Sequence, residues 1–350
     1  MSEAVEPEVL VEVRGRLGHL VLNRPRAINA LTHGMVLTML EALQTWAADE
    51  TVTTVLLTGA GERGLCAGGD IVSLYQDAKS GDTSASARFW RDEYRLNALI
   101  ANYPKPYVAI QDGIVLGGGI GVSAHGSRRI VTERSRLGLP ETGIGFLPDV
   151  GATWLLSRAP GQLGTHLALT AGMVDAGDAI AVGLADTFVP AERLPQLVAA
   201  LETTEPDAAI AAVAQPAPAS GLQSQREWID AAYAAASVTE IVERLQAGPE
   251  PAREAAEAIL GKSPAAVAAT LESLRRAAEL DSLEQALNQE YRVSMNALVS
   301  HDFAEGVRAQ VIDKDRNPRW SPGGLAEVTA QQVESYFAPL ADESTLPFPA

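Results

Sequence analysis

The chain has 350 residues, 47% hydrophobic and 20% charged, a balance that specifies a packed globular protein and excludes a disordered one. Its net charge of −17 argues against nucleic acid or an anionic membrane surface as partner, but allows a phosphorylated ligand held by a few local cations; Arg24, Arg26, Arg63 and Lys105 are the candidates. The single cysteine, Cys66, excludes an intramolecular disulfide and fits a reducing compartment; between Leu65 and Ala67 it reads as buried filler and not as a nucleophile.

Residues 1–10 are acidic and carry no signal or transit pattern, and no apolar run reaches the roughly 18–20 residues of a membrane span, so a cytoplasmic protein is expected. Residues 11–14 and 19–22 predict a hairpin closed around Gly15 and Gly18. Asn23-Arg24-Pro25 stops the second strand, and Thr32 is the expected N-cap of a helix with Val36, Met39, Leu40, Leu43, Trp46 and Ala47 on one face. Residues 53–58 form a strand ended by Gly59-Ala60-Gly61. The turn Ala67-Gly68-Gly69-Asp70 follows, with Asp70 placed to cap a helix over 71–78.

The second unit repeats this logic. Residues 86–102 predict a helix broken at Lys105-Pro106, then a buried strand over 107–110. After Gly117-Gly118-Gly119 a helix of small residues begins, and 129–132 is another strand. Strand–helix alternation with short connections predicts parallel strands with helices outside. From about residue 190 strand signals vanish and alanine rises. Residues 214–221 read as a mobile connector, and 251–280 and 282–298 as helices. The expected division is an α/β core over 1–200 and a helical region over 201–350.

The chemistry is concentrated in three places. Each glycine turn follows a strand-like run and can present a bare backbone N–H; two such donors converging would form an oxyanion hole for a carbonyl oxygen. Glu141 and Asp149 follow within Leu-Pro-Glu-Thr-Gly-Ile-Gly-Phe-Leu-Pro-Asp. Alone, Asp149 reads as a helix N-cap and Glu141 as a solvated loop residue. Together they suit a pair in which one carboxyl stays ionised while burial tunes the other. Residues 119–124 match a dinucleotide fingerprint, G-x-G-x-x-A, but Asp112-Gly113 interrupts the strand that should feed it. The five histidines show no metal-ligand spacing, so no metal is expected. His125 breaks the nucleophile-elbow pattern that a serine hydrolase needs.

These residues resemble the crotonase (enoyl-CoA hydratase/isomerase) superfamily. The likeness runs through Asn23-Arg-Pro-Arg-Ala-Ile-Asn-Ala-Leu31, Cys66-Ala-Gly-Gly-Asp-Ile71, Gly117-Gly-Gly119 and Pro140-Glu141. Further stretches resemble its branch that hydrolyses 3-hydroxyisobutyryl-CoA: Phe89-Trp-Arg-Asp-Glu-Tyr-Arg-Leu-Asn97, the loop from Leu139 to Gly151, His301-Asp-Phe-Ala-Glu-Gly-Val-Arg308, and Val311-Ile-Asp-Lys-Asp315 with Pro318-Arg-Trp320. The resemblance implies a ββα spiral core with C-terminal helices covering the acyl pocket. It implies Gly69 and Gly118 as the oxyanion hole, Glu141 and Asp149 as catalytic acids, and Glu93 as a ligand for the β-hydroxyl of the acyl group. The substrate would be a short branched β-hydroxyacyl-CoA, with CoA part of the substrate and no separate cofactor.

Two departures separate branches. Hydratases of the superfamily carry a second catalytic glutamate where this chain has Gly121, and a small residue where it has Asp149. Val72 stands where many relatives place a lysine for the CoA phosphates, so Arg26 and Arg63 become the expected substitutes. The alternatives are hydration or isomerisation of another acyl-CoA, and a protein that binds acyl-CoA without turning it over. The superfamily favours trimers and this branch varies, so self-association stays open.

Overall fold

The structure is a computed structural model and describes residues 6–342 and 346–348. The first five residues, part of the acidic start, lie outside it. Among the described residues ten strands form two sheets. In the larger, β1 (Val9–Arg14) pairs antiparallel with β2 (Leu17–Leu22), and β3 (Thr54–Gly59), β5 (Tyr107–Gln111), β7 (Arg128–Val131) and β10 (Thr187–Phe188) follow in parallel. The smaller sheet is β4 (Gly64–Cys66), β6 (Ile114–Leu116) and β8 (Arg136–Gly138) in parallel, closed by antiparallel β9 (Met173–Val174). Each turn of the chain therefore lays one strand in the large sheet and the next in the small one. This is the ββα spiral that the resemblance implied.

The interruption at Asp112-Gly113 now has its reason: it is the step by which the chain leaves β5 for β6. A dinucleotide-binding turn has no such step, because its feeding strand runs unbroken into the turn.

Helices α1 (His33–Ala48), α2 (Ile71–Ser80), α3 (Ser84–Ala101), α4 (Gly118–Ser123) and α5 (Ala152–Ser157) accompany the sheets. Thr32 caps α1 through Met35 N–H as expected. Asp70 makes no capping bond on α2; its carboxylate lies 3.4 Å from the Arg24 guanidinium, which also pairs with Glu8. Residues 214–221 are anchored instead of free. Gln215 bridges to Phe188, and the Ser220 hydroxyl donates to Asp178 of α6 (Ala176–Ala181) at 2.6 Å.

The expected helix over 251–280 is two helices, α7 (Glu250–Leu260) and α8 (Pro264–Ala278). Gly261 ends the first, while Ser263 caps the second ahead of Pro264, whose fixed φ suits a first helical position. The break places Ser263 N–H against Thr142 O at 3.2 Å and its hydroxyl against Asp302 at 2.5 Å. Helices α9 (Leu283–Leu298) and α10 (His301–Val307) complete the cover. The main apolar cluster runs from Val9 to Leu346, so strands and C-terminal helices share one core. No described helix is long and apolar enough to cross a membrane.

Gly306 of α10 sits so close to the 141–144 turn that an added Cβ would lie 2.3–2.6 Å from Ile144 backbone atoms. Gly306→Ala is expected to lower stability by about 1–3 kcal/mol, since neither backbone can yield without repacking. A thermal melt that matches the wild type would show that α10 is not docked this way.

Candidate active site

Three neighbouring parallel strands end within about one residue of each other, and the chain beyond each supplies one part of the site. Beyond β4 comes Gly69, beyond β6 Gly118, and beyond β8 Glu141. Ligand sites in α/β proteins lie in this place, outside the carboxyl ends of parallel strands.

The first turn is held from one side by the Asn23–Leu31 loop. Leu31 N–H donates to Gly68 O at 2.8 Å and Asp70 N–H to Leu31 O at 2.9 Å. Alternate groups are thus used up, and the Gly69 N–H between them has no acceptor among the described residues. Gly117 turns the chain after β6 with φ +46, and Gly118 opens α4, where a first-turn N–H has no intrahelical acceptor. The turns abut: an ideal Cβ on Gly118 would stand 3.3 Å from Gly69 N. That same Cβ would stand 2.7 Å from Glu93 Oε1, and one on Gly117 2.9 Å from Glu141 Oε1. Glycine is required at both positions for the carboxylates to reach this close.

A cavity of about 210 Å³ opens here, lined by both glycine turns, by Glu93, Glu141 and Asp149, and by apolar side chains. Trp90 and Phe146 stack at 5.5 Å on its wall, and Val311 enters from the helical turn Arg308–Ile312 that continues α10. All three sequence-predicted acids therefore converge with the two glycines. Glu93 Oε1 and Glu141 Oε2 are buried without a hydrogen-bond partner among the described residues.

Asp149 is no N-cap. Gly151 holds that position on α5, while the Asp149 carboxylate accepts a 2.7 Å hydrogen bond from Tyr94 Oη. Tyr94 Oη lies 2.9 Å from Ser294 Oγ; with its proton committed to Asp149, it accepts there. Behind the loop, Glu290 of α9 takes the N–H groups of Gly151 and Thr153 at 2.6 and 2.9 Å.

Burial dominates the electrostatics, because a low-dielectric site disfavours every charged form. It raises Asp149 to about 7, against the pull of the Tyr94 hydroxyl. Burial and then the charge of Asp149 raise Glu93 and Glu141 well above the carboxylate range. Glu290 rises to about 8, burial again outweighing its hydrogen bonds. Asp149, the only one of the three cavity acids given a side-chain donor, is the natural seat of negative charge in the resting site.

The cations stand elsewhere. Arg26 and Arg63 are exposed, and Arg63 donates to the Arg26 carbonyl at 3.4 Å; neither lines the cavity. Arg24 and Lys105, read from sequence as free for a phosphate, are engaged: Arg24 as above, Lys105 on the carbonyls of Trp46 and Asp49. Cys66 is fully buried, and burial pushes its thiol to about 12, which suits filler. Among the described residues no cluster of three or more His, Cys, Asp or Glu could hold a metal ion.

Sequence reading missed Tyr94, Ser294 and Glu290. Tyr94 follows Glu93 directly, and Glu290 and Ser294 lie four apart on one helix face, but nothing local ties either helix to Asp149.

A family model described as Enoyl-CoA hydratase/isomerase matches residues 17–337, and the chain belongs to that family. The chain is 40% identical to a protein of Danio rerio named 3-hydroxyisobutyryl-CoA hydrolase, mitochondrial, over 99% of this chain and 93% of that one. It superposes on a crystal structure titled a carnitinyl-CoA dehydratase from Mycobacterium thermoresistibile with TM-score 0.93 and 55% identity, over 96% and 98% of the two chains. A second structure, titled an enoyl-CoA hydratase from Rhodobacter sphaeroides 2.4.1, gives TM-score 0.91 and 43% identity over 96% and 99%.

The buried acids set a pH dependence of stability. A carboxyl whose folded pKa is raised contributes stability that is complete below its unfolded pKa and lost as pH rises through the folded one. For Asp149 that window runs from 3.8 to about 7, and for Glu290 from 4.5 to about 8. His19, His125 and His166, lowered by burial to about 4, act oppositely but only below 6.5. Between pH 6.5 and 8 the melting temperature is therefore expected to fall, and Asp149→Asn to flatten that fall. Melts followed by circular dichroism check it; a rise across the window would refute the assignment.

Proposed function

We propose that the protein hydrolyses the thioester of a short branched β-hydroxyacyl-CoA, with 3-hydroxyisobutyryl-CoA, an intermediate of valine breakdown, as the substrate. The observation that carries the reading is the union in one apolar cavity of two unengaged backbone N–H groups and three buried carboxyls. The name of the Danio rerio relative supports the substrate.

In this reading the thioester carbonyl oxygen accepts from Gly69 and Gly118 N–H. Each such donor typically lowers the barrier by about 3–4 kcal/mol as negative charge develops on the oxygen. Glu141, beside Gly117, acts on the carbonyl carbon in its ionised form, the proton that burial holds on its carboxyl having first passed to the Asp149 carboxylate or to solvent. It either attacks directly, expelling the thiolate and giving an acyl anhydride that water then opens, or takes a proton from the water that attacks. Asp149, held by Tyr94, orients that water. Glu93 Oε1, unpartnered next to Gly118, accepts from the β-hydroxyl and so selects for it. Thiolate departs as free CoA, whose phosphates lie outside the cavity, where Arg26 and Arg63 are the cations proposed to meet them.

The titles of the two solved neighbours name dehydratase and hydratase chemistry, and position 121 argues against that for this chain. Gly121 supplies no carboxyl, and a Cβ there would stand 2.7 Å from Val150 Cβ and 2.8 Å from Asn97 Nδ2. The space a second catalytic glutamate would occupy is filled. The buried Cys66 fits the reducing cytoplasm proposed as its location.

The test is release of CoA from 3-hydroxyisobutyryl-CoA, followed with a thiol-reactive dye beside a crotonyl-CoA hydration assay. Release without hydration is expected. Glu141→Gln should lower turnover at least about 100-fold and Asp149→Asn less, both with wild-type melting at low pH. Hydration without release, or a fully active Glu141→Gln, would overturn the reading. Repeated turnover in 18O-water tests for the anhydride: label in the Glu141 peptide marks an anhydride opened at the Glu141 carbonyl carbon, whereas label confined to the product acid marks water attack at the acyl carbon.

A further inference from the structure

Asp149 owes its direction to a turn that is unfavourable by itself. Val150, next in the chain, has φ +56, a left-handed conformation that a β-branched residue rarely enters. Gly151 follows at φ +79, so two successive left-handed residues reverse the chain immediately after the carboxylate. Backbone strain of this kind persists only where the surroundings over-determine it, and it gathers at functional sites.

The surroundings here are two buried side chains that do not line the cavity. His125 lies 2.8 Å through Nε2 from Val150 O; a carbonyl only accepts, so Nε2 carries the proton. Burial keeps that imidazole neutral down to about pH 4, so the bond keeps one form across the working range. Glu290, 1% exposed, receives Gly151 N–H on Oε2 and both Thr153 N–H and the Thr153 hydroxyl on Oε1, at 2.6, 2.9 and 2.5 Å. The strained residue is thus tied at its own carbonyl and at the next N–H. If either tie is lost, Val150 can relax toward negative φ, which rotates the peptide planes beside Asp149 and draws its carboxylate off Tyr94 Oη.

We propose that Glu290 and His125 are positioning residues for the reaction: they hold the Asp149–Val150–Gly151 turn in its left-handed form and so keep the Asp149 carboxylate aimed into the cavity. The inference rests on the hydrolase reading only in giving Asp149 a catalytic task. A plain structural role, satisfying the backbone at the start of α5, would cost stability without coupling to Asp149.

The experiment is steady-state kinetics of CoA release for Glu290→Gln and His125→Phe, each alone and combined with Asp149→Asn, normalised to folded protein. Expected is a loss of about 10- to 100-fold in kcat with KM within twofold, the scale of a catalytic group displaced by an ångström. With Asp149 already Asn, either change should cost less than a further twofold, because the groups act through one carboxylate. An unaltered kcat, or the same loss in the Asp149→Asn background, overturns the proposal. Should Glu290→Gln fail to fold, His125→Phe, which keeps a ring in the same space, decides by the same criteria. Crystal structures of the two variants provide a readout independent of activity: lengthening of the 2.7 Å Tyr94–Asp149 bond beyond 3.5 Å supports the proposal even in a protein that hydrolyses nothing, and an unmoved carboxylate overturns it.

Discussion

The parallel register of three very short strands fixes everything else about the site. Gly64 and Cys66 of β4 pair with Ile114 and Val115 of β6, which pairs in turn with Arg136 to Gly138 of β8. The chain leaves all three strands within about one residue of the same height, and Gly69, Gly118 and Glu141 come to line a single cavity. Gly117 N–H on Gly138 O at 3.3 Å adds a tie from the β6 exit to β8. The donors are backbone atoms, so their separation depends on ladder hydrogen bonds and not on rotamers; preorganised dipoles of this kind need not reorganise when charge develops. A slip of one residue in either pairing would turn a glycine N–H away and bring a side chain into the cavity.

Upon that frame the protein buries four carboxyls that cannot all be ionised together. Glu93, Glu141, Asp149 and Glu290 lie on four separate segments; after burial has raised each, the charge of Asp149 raises the other three further, and that of Glu290 adds to Glu141. Only donors distinguish them. Asp149 has Tyr94, and Glu290 has two N–H groups and a hydroxyl, while Glu93 Oε1 and Glu141 Oε2 face the cavity with none. Fixed donors thus divide the acids into those steadied by the scaffold and those left for a ligand to satisfy, which is the division of labour that acid–base chemistry requires. The helical C-terminal part is integral to this scheme, since α9 carries both Glu290 and Ser294 and α8 docks through Ser263 onto Thr142.

Much of this was legible in the chain. Glycine turns after apolar runs, and acids after Pro140 and Pro148, carry local signals, and the structure brings Gly69, Gly118, Glu93, Glu141 and Asp149 to one cavity. The strand–helix alternation yielded the parallel sheets, but not that successive strands belong to different sheets; Asp112-Gly113 marked that step and could be read only as an interruption. The misreadings share a cause. Asp70 and residues 214–221 are read from local sequence, and in each a partner distant in sequence decides the outcome: Arg24 for the first, Phe188 and Asp178 for the second. Glu290 and His125 gave no signal, because what they hold is the dihedral angle of another residue.

The packing of Gly121 also bears on how such a chain can change over generations. Val150 and Asn97 close on the α-carbon from two sides, and Val150 belongs to the turn that presents Asp149. Placing an acid at 121 therefore needs a smaller residue at 150 and a displaced Asn97, and the first of these disturbs the turn that presents Asp149. The route between the two chemistries therefore needs coupled changes, and a chain on one side of it is held there by two side-chain volumes.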